Sequence, residues 1–116
     1  MLPVNLAIVI VTDDSRVRKL ALEYFRSIGC DAIDASDGFE ALEALKSNKD
    51  RPVVVLADAG LRSLGRPEFV VAARAVAPEV GIARAPMQIE RTGLMAEPKV
   101  DLDALHDAVL RALAEL

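Results

Sequence analysis

Two apolar runs in this chain each end in acid. The first is "AIVIVTDD", Ala7 to Asp14, and the second is "VVVLADAGL", Val53 to Leu61. One run delivers Asp13 and Asp14 and the other delivers Asp58, each at the end that leaves the core. Carboxylates gathered without a partner base suit a divalent cation. Hard oxygen donors favour Mg²⁺, which keeps several waters and can bridge to a phosphate. An aspartate beside such an ion is also a nucleophile toward phosphorus. The plainer reading is that Asp13 and Asp14 cap the helix that follows, while Asp58 is an ordinary strand-end acid. Spacing alone leaves both readings open.

The elements that must hold these acids follow from periodicity. Ala7–Val11 is unbroken and rich in β-branched residues, so it reads as a strand buried on both faces. Val17, Leu20, Ala21, Tyr24, Phe25 and Ile28 recur at three and four, an amphipathic helix ending at Gly29. Asp31–Ala35 is a weaker, alternating strand near an edge. Ser36 or Asp37 caps a helix over Gly38–Leu45, with Phe39, Leu42 and Leu45 facing inward. "KSNKDRP" reads as a polar loop, and Val53–Ala57 as the second strongly buried strand. Pro67 opens a third helix that runs to Ala77, and Val80–Ala85 is a short strand. Met87–Thr92 is too short for a helix, and Gly93–Ala96 reads as a last strand. Asp101 caps a final helix with Leu102, Leu105, Val109, Leu110 and Leu113 on one face.

Buried strands alternating with helices imply a parallel sheet covered on both faces. Ligands in such sheets sit at the carboxyl ends of the central strands, where the strand order reverses. Asp13, Asp14 and Asp58 fall at those ends, so the fold itself collects the acids.

The bulk properties limit the function classes. A chain of 116 residues implies one domain, residues 1–116, with enough length for an ordinary core. It is 53% hydrophobic and 28% charged, with a net charge of −4, which argues for a globular protein and against a nucleic-acid binder. The single Cys30 excludes an intrachain disulfide and fits a reducing cytoplasm. The N-terminus lacks the basic flank and cleavage site of a signal peptide, and the run Leu6–Val11 is too short to span a bilayer, so no membrane association is expected. No Cys/His set has zinc spacing. "GLRSLGRP" lacks the Gly-Lys-Ser/Thr of a phosphate loop. His106 reads as solvent-facing on the last helix, and Cys30 as a small core filler.

Four stretches, in order and at compatible spacing, resemble the receiver domain of two-component response regulators. "IVIVTDDSRVRKL" is similar to that family's first strand and acidic loop. "GCDAIDASDGFEALEAL" is close to its second strand and helix. "RPVVVLAD" is similar to the strand that carries the phosphoacceptor, and "EPKVDLDALHDAVLRAL" to its lysine-proline turn and last helix. The resemblance implies a flavodoxin-like, doubly wound sheet of five parallel strands in the order 2-1-3-4-5. It implies Asp58 as phosphoacceptor, and Asp13, Asp58 and the Gly60 carbonyl as ligands of a weakly held Mg²⁺. Its partners would be a histidine kinase or phosphotransfer protein, or another signalling protein.

The departures from the family are as specific. Thr12 stands where the first acid of the pair is usual. Pro86 stands at the switch hydroxyl of the fourth strand, and no hydroxyl residue occurs between Glu79 and Arg91. Glu97 replaces the lysine before proline, and Leu94 the aromatic switch residue. Leu61 and Arg62 replace the "MP" after the acceptor. The segment from Pro86 to Glu97 is also shorter than the family's, so the fourth helix is reduced or missing. With Glu97 turned inward, the pocket holds three carboxylates and no lysine. One unit charge at about 4 Å is worth a few kcal/mol at an effective dielectric near 20, so such a pocket disfavours a phosphoryl group. Arg84 is the cation that could swing in.

The sequence therefore reads as a stand-alone, atypical receiver that signals by protein–protein interaction and is not an enzyme. Two rivals remain. One is a pseudo-receiver that works without phosphorylation. The other is a small metal-dependent phosphatase, against which stands Gly60 where a second catalytic acid would be needed. The short segment is expected to leave Leu94, Met95 and the Leu105 face of the last helix as an interface, for a homodimer or for another protein.

Overall fold

The computed structural model describes residues 2–61, 66–87 and 100–115. Its elements are β1 (Ala7–Val11), α1 (Ser15–Ser27), β2 (Asp31–Ala35), α2 (Gly38–Asn48), β3 (Val53–Asp58), α3 (Pro67–Val76), β4 (Gly81–Ala85) and α4 (Leu102–Ala114). Among the described residues the sheet has four strands in the order β2-β1-β3-β4, and every pairing is parallel. This is the expected doubly wound arrangement. The expectation of five strands is met for four; the last strand at Gly93–Ala96 lies outside the described residues, as does the reduced fourth helix.

The two central strands are apolar on both faces because helices cover both. Ile8, Ile10, Val54 and Leu56 point to one side, where Val17, Ala21 and Phe25 of α1 and Leu105, Ala108, Val109 and Ala112 of α4 pack on them. Ala7, Val9, Val11, Val53, Val55 and Ala57 point to the other, under Ala41 and Leu45 of α2 and Phe69 and Ala73 of α3. No described helix is long and apolar enough to cross a membrane.

Local chemistry sets the ends. Gly29 follows α1 at φ 92°, which favours glycine. Gly29 N–H donates to the Arg26 carbonyl at 3.2 Å and Cys30 N–H to that of Phe25 at 3.0 Å, a Schellman closure. Cys30 is buried in the α1/α4 layer, as a small core residue. Of the two candidate caps of α2, Asp37 takes the position and accepts from Glu40 N–H at 2.8 Å.

Four expectations are corrected. Phe39 is 72% exposed. It stands two residues before the buried Ala41, about 200° away around the helix. Lys46, Ser47 and Asn48 continue α2 rather than opening a loop. Leu105 cannot line an interface, because it is fully buried in the chain's own core beneath α4. His106 is half-buried, and its Nδ1 shares a 2.9 Å hydrogen bond with the Tyr24 hydroxyl, tying α4 to α1.

Candidate functional site

The strand order reverses between β1 and β3, so a crevice opens at the carboxyl ends of those two strands. Asp58 is the last residue of β3 and is 5% exposed. Thr12 directly follows β1 and is fully buried. Val11 is the register partner of Ala57, so the next residue of each chain, Thr12 and Asp58, come side by side.

Both oxygens of the Asp58 carboxylate are held. The Thr12 hydroxyl donates to Oδ2 at 2.9 Å, and Gly60 N–H donates to Oδ1 at 2.9 Å. A tight turn accompanies the second bond: Leu61 N–H donates to the Asp58 carbonyl at 2.9 Å. A buried carboxylate needs such donors, since an unpartnered charge is costly away from water. Thr12 is itself fixed. Asp14 N–H donates to its Oγ1 at 3.2 Å, and Arg18 Nη1 donates to its carbonyl at 2.6 Å. Arg18 also pairs with Asp34 at 4.0 Å.

The acids of the first run separate into two roles. Asp14 is the N-cap of α1, and its Oδ1 accepts from Arg16 N–H at 3.0 Å and Val17 N–H at 3.3 Å. Asp13 does not cap and is exposed beside the crevice. The capping reading therefore holds for Asp14 alone. On β4 the residue in register with Asp58 is Ala85, one before Pro86, and neither carries a hydroxyl. Arg84 is exposed and its Nη2 donates to the Ala59 carbonyl at 3.3 Å, so a guanidinium rests on the residue after Asp58. Leu94, Met95 and Glu97 lie outside the described residues.

The donor set can be tested against a magnesium ion. The set that the resemblance implies consists of oxygens only: the carboxylates of Asp13 and Asp58 and the carbonyl of Gly60. Each Asp58 oxygen accepts one of the bonds above and keeps further lone-pair capacity. Two carboxylates and a carbonyl fit an ion that retains several waters. Among the described residues no three acidic, histidine or cysteine side chains are grouped to hold a metal ion.

Reasoning from the sequence noted Thr12 only as a departure and missed its bond to Asp58. The signal was there: the apolar run Leu6–Val11 leads into Thr12, and Val53–Ala57 leads into Asp58. Adjacent parallel strands paired from Ala7 and Val53 onward bring the ends of these runs together.

A second concavity, of about 980 Å³, lies at the opposite end of the sheet, with Arg51, Arg74, Glu79, Val80 and Leu113 in its lining. None of Thr12, Asp13, Asp58 or Gly60 reaches it, and its basic and acidic side chains are mixed.

No protein-family model matches the chain, and no curated protein sequence matches it. Solved structures do. The receiver domain of the hybrid histidine kinase CckA matches with a TM-score of 0.68 at 20% identity, over 92% of this chain and 98% of that one. NtrX from Brucella abortus, solved in complex with ADP, aligns at 20% identity over 94% of this chain and 26% of that one, with a TM-score of 0.44. The chain has the receiver-domain fold of response regulators, and the strand order of its described part is β2-β1-β3-β4.

Proposed function

We propose that this chain is an atypical receiver module of two-component signalling, with Asp58 as its phosphoacceptor and contact with another protein as its output. One observation carries the reading. Asp58, the one buried carboxylate among the described residues, sits at the carboxyl end of a central strand where the strand order reverses, and it is the acid best placed to meet a ligand there. The donor would be a phosphohistidine on a kinase or phosphotransfer protein. A carboxylate oxygen of Asp58 bonds to phosphorus as the phosphorus–nitrogen bond breaks, and the departing imidazole nitrogen keeps the electron pair and takes up a proton.

The chain's own residues orient this nucleophile. Gly60 N–H and the Thr12 hydroxyl fix the plane of the carboxylate. Arg84, already resting on the Ala59 carbonyl, is near enough in space to offer its remaining donors to an anion. Asp13, Asp58 and the Gly60 carbonyl would hold a magnesium ion weakly; when bound, it supplies positive charge to offset the phosphoryl oxygens. In the absence of a hydroxyl on β4 in register with Asp58, the phosphorylated state lacks one means of being read by the fold.

A second reading has its own support. Both Asp58 oxygens already accept hydrogen bonds from the chain, so the site is satisfied as it stands, as suits an interaction module that never takes a phosphoryl group.

Incubation with a small phosphodonor and Mg²⁺, read by intact mass, separates the two. The expected result is a gain of one phosphoryl group that Asp58→Asn abolishes. A gain that persists in Asp58→Asn moves the chemistry elsewhere, and no gain in the wild type leaves the interaction module.

A further inference from the structure

We propose that Thr12 is a positioning residue for Asp58: its hydroxyl holds the Asp58 carboxylate in one orientation and offsets its buried charge, so that the resting site needs no cation. Three contacts converge on Thr12. Arg18 Nη1 clamps its carbonyl at 2.6 Å, Asp14 N–H occupies its Oγ1 as a donor at 3.2 Å, and the hydroxyl proton is left to Asp58 Oδ2 at 2.9 Å. Because an N–H already points at Oγ1, the threonine oxygen serves as acceptor there and as donor only toward Asp58. The β-branched side chain has few χ1 options, and burial removes competing water.

Charge explains why a hydroxyl at this point matters. Two carboxylates at hydrogen-bond distance in a buried site repel, and one of them must take a proton or both must share a cation. A hydroxyl instead gives a bond to the charged form of Asp58. With Gly60 N–H on the other oxygen, the carboxylate is supported from both sides by neutral donors. The cation then becomes an addition to a settled site, in keeping with the loose donor set around Asp13.

The inference rests on the reading of Asp58 as phosphoacceptor, and its test keeps the two apart. The first measurement is the side-chain coupling constants of Asp58 in the isotopically labelled full chain, which report its χ1 populations without any phosphodonor. Wild type and Thr12→Ser should show one rotamer. Thr12→Val, which keeps the shape and loses the hydroxyl, should show averaged couplings. If Thr12→Val does not fold, Thr12→Ala against Thr12→Ser reads the same quantity. On the unaltered protein, the Thr12 hydroxyl proton should exchange slowly enough to be seen, with a cross-peak to Asp58. The second measurement is phosphoryl yield from a small phosphodonor, expected to fall at least about tenfold in Thr12→Val, as for loss of one bond to a charged group, and to recover in Thr12→Ser. Unchanged Asp58 couplings in Thr12→Val, or equal phosphoryl yields from Thr12→Val and a phosphorylated wild type, overturn the proposal. A wild type that takes no phosphoryl group but shows the hydroxyl-dependent rotamer overturns only the phosphoacceptor reading and supports the role of Thr12.

Discussion

Thr12 and Asp58 are 46 residues apart in sequence and 2.9 Å apart in space, and the chemical character of the crevice turns on that contact. A hydroxyl donates to a carboxylate at no cost in charge. An acid in its place would put two negative charges at that distance in a buried site. Thr12→Asp should therefore depend on divalent cation where the wild type does not. We expect it to be destabilised by about 1–3 kcal/mol without Mg²⁺, the cost of an unsatisfied buried polar group. Added Mg²⁺ should restore much of this, with a dissociation constant at least about tenfold below that of the wild type, since a further carboxylate joins a hard-cation donor set. Thermal melts with and without Mg²⁺ and a binding titration check this. A Thr12→Asp protein whose stability ignores Mg²⁺ would place the ion, if any, away from Asp58.

At the scale of elements, neighbouring acids at the start of α1 do different work. Asp14 accepts from two backbone N–H groups of the first turn, the role that favours aspartate at an N-cap. Asp13 stands outside the helix and is exposed. Asp14→Ala should cost about 1 kcal/mol of stability and leave Mg²⁺ affinity nearly unchanged. Asp13→Ala should leave stability within about 0.5 kcal/mol and abolish Mg²⁺ binding. Denaturant melts and Mg²⁺ titrations on both variants test the division. The reverse pattern would return Asp13 to a purely structural part and make Asp14 the ligand. The same logic governs the other end of the helix. Gly29 and Cys30 close α1 with two backbone bonds and pass the chain directly into β2, which fixes the angle at which α1 lies on the sheet.

For the molecule as a whole, the two apolar layers make the central strands β1 and β3 inaccessible from either face, and Cys30 reports on the α1/α4 layer. It is 8% exposed, and burial pushes its thiol pKa above the ordinary range. The sign of the linkage follows. The fold favours the protonated thiol, so the contribution is fully present below the unfolded thiol's value of about 8.5 and is lost as pH rises through the folded value. Stability should fall on the alkaline side more steeply in the wild type than in Cys30→Ala. Labelling by a thiol reagent at neutral pH should be slow in the native protein and fast in denaturant. Rapid labelling of native protein would mean that the α1/α4 layer opens readily. Leu105 belongs to that same layer, so a search for the partner surface is better directed away from it.

Much of this protein was legible before any coordinates. The alternation of buried runs and amphipathic periods determined the parallel sheet, because strands covered on both faces must be apolar throughout, as β1 and β3 are. Local rules placed the cap at Asp101 and the closure at Gly29 and narrowed the other caps to Asp13 or Asp14 and to Ser36 or Asp37, since each depends on backbone groups within a few residues. Asp58 at the end of a buried strand was equally local. What the sequence left open needed contacts between distant segments. The bond from Thr12 to Asp58 required the register of β1 on β3, and the Tyr24–His106 bond required the packing of α4 beside α1. Which of Asp13 and Asp14 caps the helix depended on where the backbone turns from strand to helix, and the exposure of Phe39 on which stripe of α2 faces the sheet. Composition and period state which residues prefer burial. Only the assembled layers decide which of them find a neighbour, because a side chain's environment is set by segments that its own local sequence does not contain.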